Sequence, residues 1–312
     1  MAYEGFRVLD THVHFVYGAW PPAGTQHPAL VAYARERDER MRQEWQFPGP
    51  PEPPPSTPEE AEQLADRWVE ELDRHGVERV CFVTGGGNER LAAVVRRHPD
   101  RFLGMVHHDP TAPDALEQLR RGVEEFGFVG YKMFGPRMPV PFEDPSLRPI
   151  WKYLADRRIP VLIHFGLLGH AGGVVYSPRM SPLTLWPVAR EFLDIPFIIP
   201  HFGAGYWQDL LQLCWSLPNI YIDTSGSNQW MRWMPYPLTL ESLLQKAYEM
   251  VGPERILFGT DSSWFPRGFS VRYLADQLRA ARYLRWPEEA IRLFLGGNAA
   301  RLFGLQEWSE RA

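Results

Sequence analysis

The residues best equipped for chemistry fall at the ends of short apolar runs. His12 and His14 follow Arg7–Leu9, Lys132 lies within Val129–Phe134, and His164 lies within Val161–Phe165. His201 directly follows Phe197–Pro200, and Asp261 comes just after Ile256–Gly259. His12 and His14 are two residues apart, so on a strand both imidazoles project to one side while Val13 projects to the other. Two imidazoles so placed can hold one metal ion together. His164 and Asp261 complete a set of three nitrogens and one oxygen, which suits Zn²⁺, with Mn²⁺ as the alternative, and leaves room for a water or substrate oxygen. A single histidine on an apolar strand is ordinarily a packed core residue; here several separate segments present a ligand type at the same kind of position. His107 and His108 are adjacent, face opposite ways and are expected to lie apart from the site. His27, His75 and His98 read as loop or helix-end residues, whereas His170 follows its strand closely enough to touch substrate.

These side chains converge only if the runs become neighbouring parallel strands. Eight runs are expected as strands: Arg7–Leu9, Val80–Thr84, Phe102–Val106, Val129–Phe134, Val161–Phe165, Phe197–Pro200, Ile220–Asp223 and Ile256–Gly259. They are continuously apolar rather than alternating, as strands covered on both faces should be. Amphipathic stretches lie between them, including Glu59–His75, Pro113–Phe126, Leu147–Arg157, Pro182–Leu193, Leu240–Val251 and Val271–Leu284. Thr57 and Glu60 form a capping box with Pro58 at the first helical position, and Gly76 supplies the stop. The alternation predicts an α/β fold, a (β/α)8 TIM barrel, in which all strand C-termini open onto one face. An open doubly wound sheet is disfavoured because the first strand runs into Asp10-Thr11-His12-Val13-His14 rather than a glycine-rich phosphate turn. The whole chain, residues 1–312, reads as one barrel domain. A Pro-rich insertion over about 17–56, with Pro48–Pro58 mostly proline, requires no strand or long helix and is expected to be a partial lid.

Composition narrows the classes. The chain has 33 Lys plus Arg against 38 Asp plus Glu, a net charge of −5, so it lacks the basic footprint of a nucleic-acid binder. No apolar stretch approaches the ~18 residues of a membrane helix, and the N-terminus shows no secretory pattern. Two cysteines, Cys81 and Cys214, fit a reducing cytoplasm. The expected partner is therefore a small-molecule substrate, with no nucleic acid and no membrane, and a homodimer is plausible from the many tryptophans.

The ordered set Asp10-Thr11-His12-Val13-His14, Val161-Leu162-Ile163-His164, Ile199-Pro200-His201-Phe202-Gly203, Tyr221-Ile222-Asp223-Thr224-Ser225 and Leu257-Phe258-Gly259-Thr260-Asp261 resembles the amidohydrolase superfamily. The C-terminal segment Gly297–Leu305 resembles the closing helix of the branch that contains aminocarboxymuconate-semialdehyde decarboxylase, resorcylate decarboxylases and lactone hydrolases. The resemblance implies that His12, His14, His164 and Asp261 hold one divalent ion. It also implies that His201 is the active-site histidine, acting with Asp261 in proton transfer, and that Asp10 supports the ligand pair. For Lys132 three roles stay open: a substrate-binding cation, a structural lysine, or a carboxylated bridge between two metals.

Two reactions fit these residues. The first is hydrolysis of a small carboxylated or cyclic ester, lactone or amide by metal-activated water. The alternative is zinc-dependent, non-oxidative decarboxylation of an unsaturated or aromatic carboxylic acid. Phe165, Phe202, Trp207, Trp230, Trp233, Trp264 and Phe265 follow strand ends and would suit a flat substrate, with Trp264 the chief contact. Arg137 and Arg267 are candidate carboxylate clamps because a guanidinium matches a carboxylate bidentately.

Overall fold

The computed structural model describes residues 2–18, 27–168 and 176–309. Eight parallel strands follow one another around a sheet in chain order: β1 (Leu9–His14), β2 (Arg79–Thr84), β3 (Phe102–His107), β4 (Gly130–Phe134), β5 (Val161–His164), β6 (Phe197–Ile199), β7 (Ile220–Asp223) and β8 (Ile256–Leu257). The ring closes between β8 and β1. Thr11 donates its backbone N–H to the Phe258 carbonyl at 3.0 Å, and Asp261 donates to the His12 carbonyl at 2.8 Å. The predicted (β/α)8 barrel is the fold.

Side-chain parity divides each strand between two cores. On β2, Val80 and Phe82 face the outer helices, while Cys81 and Val83 face inward. On β5, Val161 and Ile163 face outward and Leu162 inward, so His164 is next on the inner side. The same count on β4 puts Lys132 inside between outward-facing Tyr131 and Met133. The barrel interior is thus apolar near the strand starts and polar near their ends.

β1 obeys this rule only through a bulge. Asp10 pairs with Val80 and Val13 with Phe82, so one extra residue lies on β1 between these partners. The extra residue reverses the alternation. Leu9 packs in the inner cluster and Val13 in the outer one, leaving His12 turned inward. The apolar run Arg7–Leu9 marks only the start of the strand, which ends at His14 as the placement of His12 and His14 at its end requires.

The outer layer contains α2 (Pro58–Arg74), after α1 (Pro28–Trp45), then α3 (Asn88–Arg97), α4 (Ala115–Glu124), α5 (Arg148–Arg157), α6 (Trp186–Glu191), α7 (Trp207–Ser216), α8 (Leu240–Val251) and α9 (Val271–Tyr283). Thr57 and Glu60 make the expected capping box on α2. The short α10 (Glu288–Arg292), α11 (Asn298–Leu302) and α12 (Gln306–Ser309) finish the chain. Ala299, Ala300, Phe303 and Trp308 from this end join Leu9, Leu103 and Leu257, sealing the inner cluster at the strand N-termini.

The insertion departs from expectation. It carries the 18-residue α1, where no long helix was foreseen. None of its residues is fully buried, so it lacks the apolar stripe by which a helix is read from sequence. It is sustained instead by local pairs, Glu36 with Arg40 and Glu39 with Arg42, and by Pro28 in its first turn. His27 caps it, accepting from the Ala29 N–H at 3.2 Å.

Asp10 pins the closure of the barrel. Its carboxylate accepts the His12 N–H at 2.9 Å, the Thr260 N–H at 3.1 Å and the Thr260 hydroxyl. Burial pushes its pKa up to about 8, against these hydrogen bonds and with a further rise from Asp223. Asp10→Ala would remove the acceptor of two buried N–H groups and of the Thr260 hydroxyl, which could turn to Ser262 Oγ, and should lower stability by roughly 2–4 kcal/mol. Urea unfolding checks this; a loss below about 1 kcal/mol would show that the closure does not depend on Asp10.

Candidate active site

The polar inner layer assembles around His12. Asp223, the last residue of β7, faces the His12 Nδ1 at 2.8 Å, and both side chains are buried. Nδ1–H donates to that carboxylate, which directs the Nε2 lone pair into the cavity. Nε2 has no hydrogen-bond partner although it is buried. Burial lowers the His12 pKa far below its ordinary value, helped by the charges of Lys132, His201 and His14 against that of Asp261. The imidazole is neutral, the form that ligates metals.

His201 approaches from the loop after β6. Its Nδ1 donates toward the Ser225 carbonyl at 3.1 Å, and Ser225 Oγ lies 3.0 Å from the same nitrogen and 3.1 Å from His12 Nδ1. Five consecutive residues, His201 to Gly205, have positive φ, as does Asp261 at 58°. Non-glycine residues adopt this conformation at a cost of about 1–3 kcal/mol each when their surroundings enforce it. The strained non-glycine residues here are His201, Phe202, Ala204 and Asp261, which include both residues that sequence analysis assigns to proton transfer.

Ligand atoms from His12, His201 and Asp261 lie within 4.8 Å of one another. His14 abuts this group, its Nε2 3.2 Å from Asp261 Oδ1, with its Nδ1 2.6 Å from Thr84 Oγ1. Burial alone would raise the Asp261 carboxyl, but the hydrogen bond from His14 and the charges of His201, His12 and His14 hold it well below the usual carboxylate range. His164 is buried beside His201, with ring centroids 5.1 Å apart, and its Nε2 lies 2.9 Å from the Leu167 carbonyl. Burial, His201 and Lys132 keep His164 neutral as well, against the Leu167 hydrogen bond and Asp261.

These residues fit a divalent ion. The donors are imidazoles and one carboxylate, and His12 Nε2 is a buried nitrogen without a hydrogen bond, 3.8 Å from Asp261 Oδ1. Gly226 leaves the space open: a Cβ there would stand 3.1 Å from His201 Nδ1 and 3.7 Å from Asp261 Oδ2.

Lys132 is wholly buried, and its ammonium has no hydrogen-bond partner. Nζ sits 4.7 Å from the centre of the Phe134 ring. Burial lowers its pKa to about 7 despite the opposing pull of Asp261 and Asp223. Arg137 is exposed at the rim, 5.6 Å from the Phe134 ring centre. Trp264 and Arg267 stand on the loop after β8. All of these line one open cavity of about 1890 Å³, together with Trp230, Trp233, Phe265, Tyr273 and much of α1.

The aromatics divide. Phe165, Phe202 and Trp207 pack in the outer core instead of facing substrate. Of the remaining histidines, His107 and His108 do not line the cavity; His107 turns its Nδ1 to the Lys132 carbonyl at 3.1 Å. His170 lies outside the described residues. Sequence reasoning gave no separate role to Asp223 or Ser225, although Asp223 ends a strand just as His164 does. Phe47 and Tyr273 were also missed, because only the fold brings them to the cavity.

The amidohydrolase family profile matches residues 9–305, and the chain belongs to that family. It is an enzyme by that membership. γ-Resorcylate decarboxylase from Rhodococcus jostii (strain RHA1) is 25% identical over 276 residues, covering 73% of this chain and 78% of that protein. γ-Resorcylate decarboxylase from Rhizobium radiobacter is 24% identical over 307 residues, covering 78% and 88% respectively. The fold is shared with the structure of a dihydroxybenzoic acid decarboxylase from Polaromonas sp. JS666, with bound manganese and the inhibitor 2-nitroresorcinol. The TM-score is 0.64 at 17% identity, over 96% of this chain and 97% of that one. Among the described residues, no helix is long and apolar enough to cross a membrane.

Asp223 fixes the His12 tautomer and ring orientation, as carboxylates behind metal-ligating histidines do. Asp223→Asn should therefore weaken metal binding roughly 10–100-fold, measured by competition with a chromogenic chelator. Unchanged affinity would show that His12 does not ligate through Nε2.

Proposed function

We propose that the protein is a metal-dependent, non-oxidative decarboxylase of a small aromatic or conjugated carboxylic acid. Its similarity to the two γ-resorcylate decarboxylases carries this reading, because the site residues alone suit hydrolysis as well. The hydrolytic reading placed first from sequence has support only from family membership and falls behind. The aromatic wall formed by Phe134, Trp230 and Trp264 favours a flat ligand.

In this reading His12, His14, His164 and Asp261 hold one divalent ion, zinc or manganese, with His164 exchanging the Leu167 carbonyl for it. The ion, when bound, supplies a Lewis acid that steadies negative charge on a substrate oxygen. His201, anchored at Nδ1 by Ser225, would give a proton from Nε2 to the ring carbon that bears the carboxylate, where it stays as the product C–H, and Asp261 beside it would pass a replacement proton from solvent to His201. The carbon–carbon bond then breaks, its electron pair returns to the ring carbon through the conjugated system, and CO2 departs. Lys132 meets an anionic oxygen of the substrate, which gives its buried ammonium the partner it lacks in the protein alone. Arg137 and Arg267 add positive charge at the rim, and the insertion serves as a partial lid. Two buried free cysteines fit a cytoplasmic setting.

Incubating metal-loaded protein with a panel of hydroxybenzoates should release CO2, and chelation should abolish the release. Carboxylate retained across the panel, with turnover of lactones or esters instead, would restore the hydrolytic reading. His201→Asn should keep the metal and lower kcat at least about 100-fold, whereas His164→Ala should lose the metal. The opposite pattern would move His201 into the ligand set. Lys132→Met should raise KM for the acid by about tenfold or more, read from steady-state rates, consistent with a lost charge-assisted contact. An unaltered KM would assign Lys132 a structural role.

A further inference from the structure

The insertion reaches into the site as well as over it. The guanidinium of Arg267 lies between two rings, 4.9 Å from the centre of Phe47 and 5.4 Å from that of Tyr273. Its Nε donates to Ser270 Oγ at 2.7 Å, and Nη2 points toward the Asp261 carbonyl at 3.4 Å. Phe47 meets Trp264 edge to face at 5.9 Å. The insertion is fastened on both sides of Phe47. Arg272 donates to the Trp45 carbonyl at 3.3 Å, and the Glu52 N–H donates to the Phe265 carbonyl at 2.7 Å.

A guanidinium flanked by rings and tied at Nε has lost most of its rotamer freedom before any ligand arrives. What is left to it are the Nη donors other than the one directed at the Asp261 carbonyl, in the cavity that His12 and Asp261 also line. An arginine so held binds a carboxylate more tightly than a free one, because the ordering cost falls on folding and not on binding.

We infer that Phe47 is a positioning residue: it holds the Arg267 guanidinium in place to receive the substrate carboxylate, so the insertion sets the preference for anionic ligands. This rests on the proposal that the substrate is an aromatic acid. Phe47 touches neither the ligand set nor Lys132, so its removal tests the clamp separately from the chemistry.

The test is calorimetric titration of the metal-loaded full chain with 2,6-dihydroxybenzoate and, separately, with its methyl ester. Phe47→Ala should weaken the acid about tenfold and leave the ester within about twofold, the size of one well-formed cation–π contact. Phe47→Trp should restore acid binding by restoring a ring face, which shows that the loss does not come from misfolding. The Phe47→Ala/Arg267→Ala pair should bind the acid no more weakly than Arg267→Ala alone. Equal losses for acid and ester would make Phe47 a passive cover and overturn the inference. So would unchanged acid binding in Phe47→Ala, and both results leave the proposed reaction standing. Wild-type protein that binds neither compound would overturn the aromatic-acid reading, and this inference with it.

Discussion

Everything in the pocket depends on the extra residue in β1. Without the bulge between Asp10 and Val13, strict alternation from inward-facing Leu9 would send His12 outward into the apolar layer between sheet and helices. The ring would then lie among Trp68 and Phe82, with no carboxylate to receive Nδ1–H. With the bulge, His12 meets Asp223 across the barrel at 2.8 Å, and Asp10 takes up the backbone donors freed where the ladder is irregular. One local irregularity thus converts a packing strand into a site-bearing one, which is how bulges are used beside active sites.

The polar layer is expensive to bury, and the structure offsets that cost unevenly. Asp10 and Asp223 receive backbone or hydroxyl donors, Asp223 from the Ser225 N–H at 2.7 Å. His12 Nε2 and Lys132 Nζ receive no hydrogen bond from the protein. Buried polar groups without partners are uncommon in folded proteins because each costs about 1–3 kcal/mol, more when charged. One is a Lewis base and the other a cation, and both open into the same cavity. Their natural complements are a metal ion and an anion, so the two orphaned atoms describe a ligand pair of opposite charge.

The barrel and most of the layer were legible because strand ends are marked by chemistry. One histidine after a run such as Val161–Ile163 reads as packing, but ligand types recurring at several strand ends do not. Lys132 could be located by the same argument, but its role could not, since burial and lack of a partner are properties of the fold. Asp223 was as visible as His164 at a strand end, but its pairing with His12 comes only from the fold. The helix α1 was illegible for a different reason. Its charged residues surround it on every side, so no periodic apolar face betrays it, and only its contacts across the cavity mouth give it a place. Phe47 follows α1 in the sequence, 220 positions before Arg267, and nothing in the intervening chain announces their meeting.

This division has a functional logic. The inner layer is built from strand residues whose positions the barrel fixes, and within the family a layer of this kind serves both hydrolysis and decarboxylation. It therefore says little about substrate. The loops after β1 and β8 are free to vary without disturbing the sheet, and here they meet in one aromatic cluster around a single guanidinium. The layer supplies chemistry common to both reactions, and in the reading proposed above ligand choice follows from the cluster over it. Asp261 belongs to both, since its carboxylate faces the histidines while its carbonyl faces Arg267.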